Sequence, residues 1–264
     1  VPPHRLGVAF AIIFTGTTLG GAAGNLAAAA VIRERGFGAL GVLAIVVGTL
    51  VFLGVGLAIP DRRASLSDRR EAALTTYRAL VARPRTLLLL CLQAVPTAYY
   101  GAAVLLMPLL IYRVSGRPSD SAHYATLTLV GSSIGQLLAG RLMDRHGARR
   151  PLAVLVAGIA AVSLSTAALT GSFIGLFACG VTGVSLAWAL SVAYPVLVKE
   201  LCPGPEHGRM LGLLYLAWSA GMLLGTQLGG LLVGWGGGVP FLVLGAANLL
   251  ILPLAVRLVR AIAH

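Results

Sequence analysis

Acids are scarce in this sequence. It has eight Asp and Glu among 264 residues: Glu34, Asp61, Asp68, Glu71, Asp120, Asp144, Glu200 and Glu206. All fall at the ends of apolar runs or in the breaks between them, and no histidine lies in the middle of a run. An intramembrane protease or lipid transferase needs a nucleophile and base, paired carboxylates or a His/Glu set at membrane depth. None is present, so no enzymatic activity is expected. Cysteine occurs three times, with Cys91 and Cys179 in apolar runs and Cys202 in a polar break, and there is no C-x-x-C pair or histidine at metal-ligand spacing. A disulfide framework and a zinc site are therefore not indicated, and no metal or cofactor is expected. Lysine occurs once, at Lys199, so arginine carries nearly all of the positive charge.

Apolar residues fill the space that charge leaves. Hydrophobic residues make up 58% of the chain and charged ones 11%, with a mean hydropathy of +0.91, far above a soluble domain. The chain reads as a polytopic membrane protein. A net charge of +12 and a pI near 10.8 would suggest nucleic acid in a soluble chain. Here the arginines lie in the breaks between apolar runs, so the implied partner is the lipid bilayer and no nucleic acid is expected. Eight apolar segments are long enough to cross a hydrocarbon core of ~30 Å, which takes roughly 20 helical residues. They lie near 6–31, 37–59, 86–112, 122–142, 151–170, 172–198, 209–233 and 239–257. Continuous apolar runs without two-residue alternation predict helices rather than membrane strands.

Alternate breaks must share a side, and the basic residues divide sixteen to four when the break from Asp61 to Arg85 is placed inside. Arg33, Arg35, Arg113 and Arg117 are the four outside. The asymmetry predicts that both ends of the chain are cytoplasmic. The same long break divides two spans from six, giving expected units of 1–60, a cytoplasmic linker over 61–85, and 86–264. The helical spacing of Arg69, Arg70, Glu71, Ala72, Leu74, Tyr77, Leu80 and Val81 makes a helix lying on the membrane surface one reading of this linker. A plain connection is the other.

A compact charge cluster between two apolar runs is Gly140-Arg141-Leu142-Met143-Asp144-Arg145-His146-Gly147-Ala148-Arg149-Arg150-Pro151-Leu152. It resembles the loop signature of the major facilitator superfamily of secondary transporters, G-x-L-x-D-R-x-G-x-R-R-x-L, with Gly140, Leu142, Asp144, Arg145, Gly147, Arg149, Arg150 and Leu152 in place. The resemblance implies an all-α helical bundle and transport of a small-molecule substrate by alternating access. Efflux of small organic compounds or drugs is the commonest assignment for such chains. A sugar or metabolite permease is the runner-up, and a non-transporting remnant of the same fold is a third reading. A monomer in a bacterial inner membrane is expected. The resemblance also implies that Asp144 faces the start of a helix in the other half, near His4, Arg5, Leu6 and Gly7. A carboxylate there meets unpaired N–H groups and the positive end of a helix dipole while the cytoplasmic side is closed. Positive-inside anchoring accounts equally well for Arg145, Arg149 and Arg150, but not for Asp144.

A shift of 205 positions superposes Leu6 on Leu211, Gly7 on Gly212, Gly16 on Gly221, Gly20 on Gly225, Gly24 on Gly229 and Leu26 on Leu231. Both segments carry G-x-x-x-G-x-x-x-G, a ridge that lets helices approach closely and suits an interface between halves that rock. Duplication is the reading adopted, with convergence the alternative. Under the same shift, partners of the spans from 86 to 198 would fall before Val1. The expectation is a fragment holding helices five to twelve of a twelve-helix plan, with a complete eight-helix protein as the alternative. Asn25 follows Gly24 where an antiporter-type ridge in this family usually shows a nearby proline, which weakens a drug/proton antiporter assignment.

For a substrate cavity, the family's cavity-lining helices map to 86–112 and 172–198. Gln93, Thr97 and Tyr100 share a helix face at i, i+4 and i+7, with Pro96 loosening the ladder beside them. Trp188, Ser191 and Tyr194 recur near helical spacing before Pro195. Amides and aromatics suit a neutral or amphipathic solute, although each residue is also an ordinary packing residue. Gln136, Gln227 and Asn248 are weaker candidates of the same kind. A proton as coupling ion needs a titratable group at membrane depth, which these spans do not supply. Uniport, coupling through the solute's own charge, and a proton-binding group elsewhere in a longer protein all stay open.

Overall fold

The computed structural model describes residues 5–58, 77–202 and 206–260. They include eight α-helices, α1 Leu6–Ala58, α2 Pro84–Ser115, α3 Pro118–His146, α4 Arg149–Ala168, α5 Phe173–Ser191, α6 Ala193–Leu201, α7 His207–Leu232 and α8 Val239–Arg260, and a helical stretch at 77–81 before α2. A single 3₁₀ turn, Val233–Trp235, follows α7. Most of the long break read as a linker, including Arg69 to Leu74, lies outside the described residues.

Local sequence explains most of the boundaries. α1 holds both of the first two expected spans, divided only by Gly36, whose φ of 76° and ψ of 179° break the helical path. A side chain would be strained at that φ, so glycine takes the place of the short loop expected there. α2 and α3 each start with a proline in the first turn, where the missing N–H costs nothing. α2 ends at Gly116 in the left-handed conformation (φ 68°), with its N–H donating to the Tyr112 carbonyl at 2.8 Å. Ser172 caps α5 by accepting from the Gly175 N–H at 3.1 Å.

The expected span 172–198 is present as one apolar segment, Phe173–Glu200, with a one-residue interruption at Val192 that divides it into α5 and α6; the two are counted together as one of the six helices that follow α1. Pro195 has no N–H to donate to the Ser191 carbonyl, and its ring disfavours a continuous helix through that turn.

By length and composition, six described segments could cross a membrane, with Leu6–Leu57 counted as one although it is long enough for two passes. α3 is not among them, because Thr128, Ser132, Ser133 and Gln136 lower its hydropathy. All four are buried, so α3 turns its polar face inward.

α2 packs along α7, α4 along α8 and α3 along α5, while α1 lies along α3. The core of the six-helix unit contains Leu89, Leu92, Tyr99, Leu106, Met107, Ile159, Leu176 and Phe241. Outside it the usual polarity is reversed: Ile174, Leu231 and Leu250 are each more than 70% exposed, as expected where the solvent is lipid. Residues 37–57 of α1 carry exposed apolar side chains on every face.

Candidate functional site

Two features stand out, and both involve α1. The first is at its beginning. Its opening N–H groups have no helical partner, and the Asp144 carboxylate at the end of α3 accepts from the Gly7 N–H at 2.7 Å and from the Val8 N–H at 3.0 Å. Glycine makes the approach possible. A Cβ on Gly7 would stand 2.5 Å from the Gly140 carbonyl oxygen, and one on Gly140 would stand 2.6 Å from the Gly7 carbonyl oxygen. Two backbones thus meet where the carboxylate reaches the helix end.

The rest of the signature turns tightly around this contact. Gly147 (φ 74°) stops α3, and α4 begins at Arg149. The Arg149 Nε lies 3.5 Å from a Glu200 carboxylate oxygen, while Arg145 and Arg150 are exposed. Further along the same helix pair, a hydroxyl and amide cluster went unrecognised in the sequence except for Gln136. The Thr18 and Ser133 hydroxyls are 2.7 Å apart, and Thr18 also donates to the Gln136 side-chain oxygen at 3.2 Å. Thr15 donates to that oxygen at 3.5 Å. Gln136 is fully buried, and its amide nitrogen has no partner among the described residues. The i, i+3 spacing of Thr15 with Thr18 and of Ser133 with Gln136 was the available signal, but polar residues inside a span do not reveal which helix they face.

The second feature is a cavity of about 330 Å³ between α1 and the six-helix unit, with a smaller recess beside it. All six cavity candidates line one or both: Gln93, Thr97 and Tyr100 from α2, Trp188 and Ser191 from α5, and Tyr194 from α6. Phe14 and Thr17 of α1 and Leu211, Leu214, Tyr215 and Trp218 of α7 complete the wall, and these were not foreseen. Tyr215 and Trp218 share a face at i, i+3, but that spacing does not say which side of α7 faces inward.

Several polar groups of the cavity are already engaged within the protein. Thr97 donates to the Gln93 carbonyl at 2.7 Å and accepts from the Gln93 amide at 3.3 Å. Tyr194 donates to the Leu92 carbonyl at 2.6 Å, and Ser191 to the Trp188 carbonyl at 2.6 Å. The Tyr100 and Trp188 rings meet edge to face, with centroids 5.6 Å apart. Among the described residues, no Asp, Glu, Lys, Arg or His lines either space.

The two glycine ridges behave differently. Gly221 and Gly225 press against the carbonyls of Ala94 and Ala98 on α2, and Gly229 lies against Ala102. This ridge is therefore internal to the six-helix unit and does not lie between halves. Gly16, Gly20 and Gly24 have open space where a side chain would be. The close approach between α1 and α3 is made by Gly7 and Gly140 instead.

Outside the spans, Arg83 donates to both Glu206 oxygens, at 2.6 and 2.9 Å. The paired guanidinium holds the Glu206 carboxyl below its usual range.

Apolar helices with a lipid-type exterior, a polar-lined interior cavity and a glycine-and-arginine turn define a polytopic all-helical membrane protein. The sequence model of the Major Facilitator Superfamily matches residues 1–196 and again 117–263. The chain belongs to that family. It is 27% identical over 239 residues to "MFS transporter asaE" of Aspergillus flavus, an alignment covering 89% of this chain and 53% of the relative. It is 30% identical over 119 residues to "Putative metabolite transport protein YncC" of Bacillus subtilis, covering 42% and 25% respectively. At most about half the length of these curated relatives is spanned.

Proposed function

We propose that the chain carries the six-helix half and part of the partner half of a secondary transporter that moves small organic compounds by alternating access, most readily as an exporter. The observation that carries this reading is the uncharged, aromatic-walled cavity, which lies between the same two units that Asp144 joins at one end. A carboxylate seated on a helix N-terminus is a contact that one conformation makes and another breaks, so it biases which side of the cavity is closed. An uncharged lining of rings, one amide and hydroxyls selects neutral or amphipathic solutes, because a buried ion would find no partner there. The arginine distribution supports an orientation with both ends in the cytoplasm, and a monomer in a bacterial inner membrane is part of the same reading.

The test is counterflow in proteoliposomes of the longer protein, using a panel of neutral aromatic compounds and a panel of sugars. Transport of the aromatic set should fall about tenfold in Trp188→Ala, equivalent to losing ~1.4 kcal/mol of binding. Transport of sugars alone would favour the permease reading, which the name of the Bacillus relative supports. Transport of neither set would favour a remnant.

A further inference from the structure

On the outer face of the six-helix unit, α3, α4 and α5 leave a groove of about 410 Å³ lined almost wholly by apolar atoms. Its floor is where α3 approaches α5: a Cβ on Gly135 would stand 3.1 Å from the Ser185 carbonyl oxygen. Its rims are Leu138 and Leu142 of α3 and Val154 of α4, all substantially exposed. From Gly131 to Leu142 the groove runs about 16 Å along α3 at 1.5 Å per residue. That is about one leaflet of a ~30 Å hydrocarbon core.

Positive charge stands at the loop end of this groove. Arg145 lies three residues after Leu142 and seven after Leu138, and Arg150 lies four before Val154, so each continues a groove-lining face by one turn. Both are exposed. The described carboxylates at this end are engaged elsewhere: Asp144 on the α1 backbone, Glu200 on Arg149 and Glu206 on Arg83. Among the described residues, neither Arg145 nor Arg150 has an acidic partner.

We propose that this groove binds one anionic phospholipid of the adjoining leaflet, with an acyl chain between α3, α4 and α5 and the headgroup phosphate on Arg145 and Arg150. Length, apolar lining and charge select the ligand together. A zwitterionic lipid would fill the groove and offer the same phosphate, but its headgroup cation would offset the attraction to the two arginines, and a soluble anion would satisfy the arginines without filling the groove. The site is separate from the solute cavity, so it stands whether or not the chain transports.

The experiment is titration of the purified 264-residue chain in detergent with phosphatidylglycerol, phosphatidylcholine or inorganic phosphate, read as bound lipid by native mass spectrometry and as a thermal shift. Phosphatidylglycerol should bind in preference to phosphatidylcholine. The Arg145→Gln/Arg150→Gln variant should bind it about thirty-fold more weakly, given the attraction of two arginines near an anionic surface. Val154→Trp, which narrows the groove and leaves both arginines, should weaken it at least several-fold. Arg33→Gln/Arg35→Gln, at the other end, should bind as the wild type does. Unchanged binding in either groove variant, an equal shift with inorganic phosphate alone, or a dimer of this chain that excludes lipid from the face would overturn the proposal.

Discussion

The same three-glycine pattern occurs on α1 and on α7 and has opposite fates. On α7, Gly221 and Gly225 sit against backbone carbonyls of α2, closer than any side chain would allow. On α1, Gly16, Gly20 and Gly24 face open space. The difference teaches that a small-residue ridge is a permission for close approach and that the partner helix supplies the contact. α2, the partner of the second ridge, has no counterpart for the first among the described residues. The exposed apolar surface of 37–57 points the same way, since it too is a face with nothing against it.

The sharpest way to break the comparison is to add one methyl group to each ridge. Gly225→Ala would place a Cβ onto the Ala98 backbone, so a loss of about 2–3 kcal/mol is expected from forced separation of α2 and α7. Gly20→Ala in the same 264-residue chain should be neutral, or stabilising by up to ~1 kcal/mol through helix propensity. Thermal unfolding in detergent measures both, and equal losses would contradict the packing difference.

A second variant compares the bare ridge with the point where α1 does make contact. Asp144→Asn keeps the shape but removes the charge facing the α1 N-terminus, with an expected loss of about 1–2 kcal/mol. Faster modification of a cysteine placed at Ala11, which is buried in the wild type, would report it. Thr18→Ala should have a smaller effect, about 0.6 kcal/mol for an interhelical hydrogen bond in a membrane, read with the same probe.

The smallest effect lies within the packed unit, at Arg83 and Glu206. The Glu206 carboxyl is held below its usual value of 4.5, so its contribution is fully present above that value and is lost as pH falls through the lowered one. The melting difference between wild type and Glu206→Gln should be flat from pH 6 to 8 and shrink below about pH 4. A difference that grows on acidification would contradict the pairing.

Much of the fold was legible because hydrophobic run length and helix stops are local properties. Pro84, Gly116, Pro118 and Gly147 mark boundaries by their own backbone chemistry. The interruption at Val192 between α5 and α6 was also local, written in Pro195, within a segment that still runs as one apolar span, Phe173–Glu200. In the cavity, the residues sharing one helix face were recoverable from spacing, as Gln93, Thr97 and Tyr100 show. Phe14, Thr17, Tyr215 and Trp218 were not, because they join the wall only when α1 and α7 are set against α2 and α5. Gly140 was marked by the loop signature and Gly7 by its implied place opposite Asp144, but neither was singled out as a point of backbone contact while Gly16 and Gly20 were. Their difference is tertiary.

The most direct test of the central claim, that Asp144 on the α1 N-terminus holds the loop end closed, is the distance distribution between spin labels at Arg5 and Arg141. It should be measured by pulsed electron resonance in the longer protein, with and without Asp144→Asn. The account predicts a short, narrow population in the wild type and a shift to longer distances in the variant. Identical distributions would contradict it.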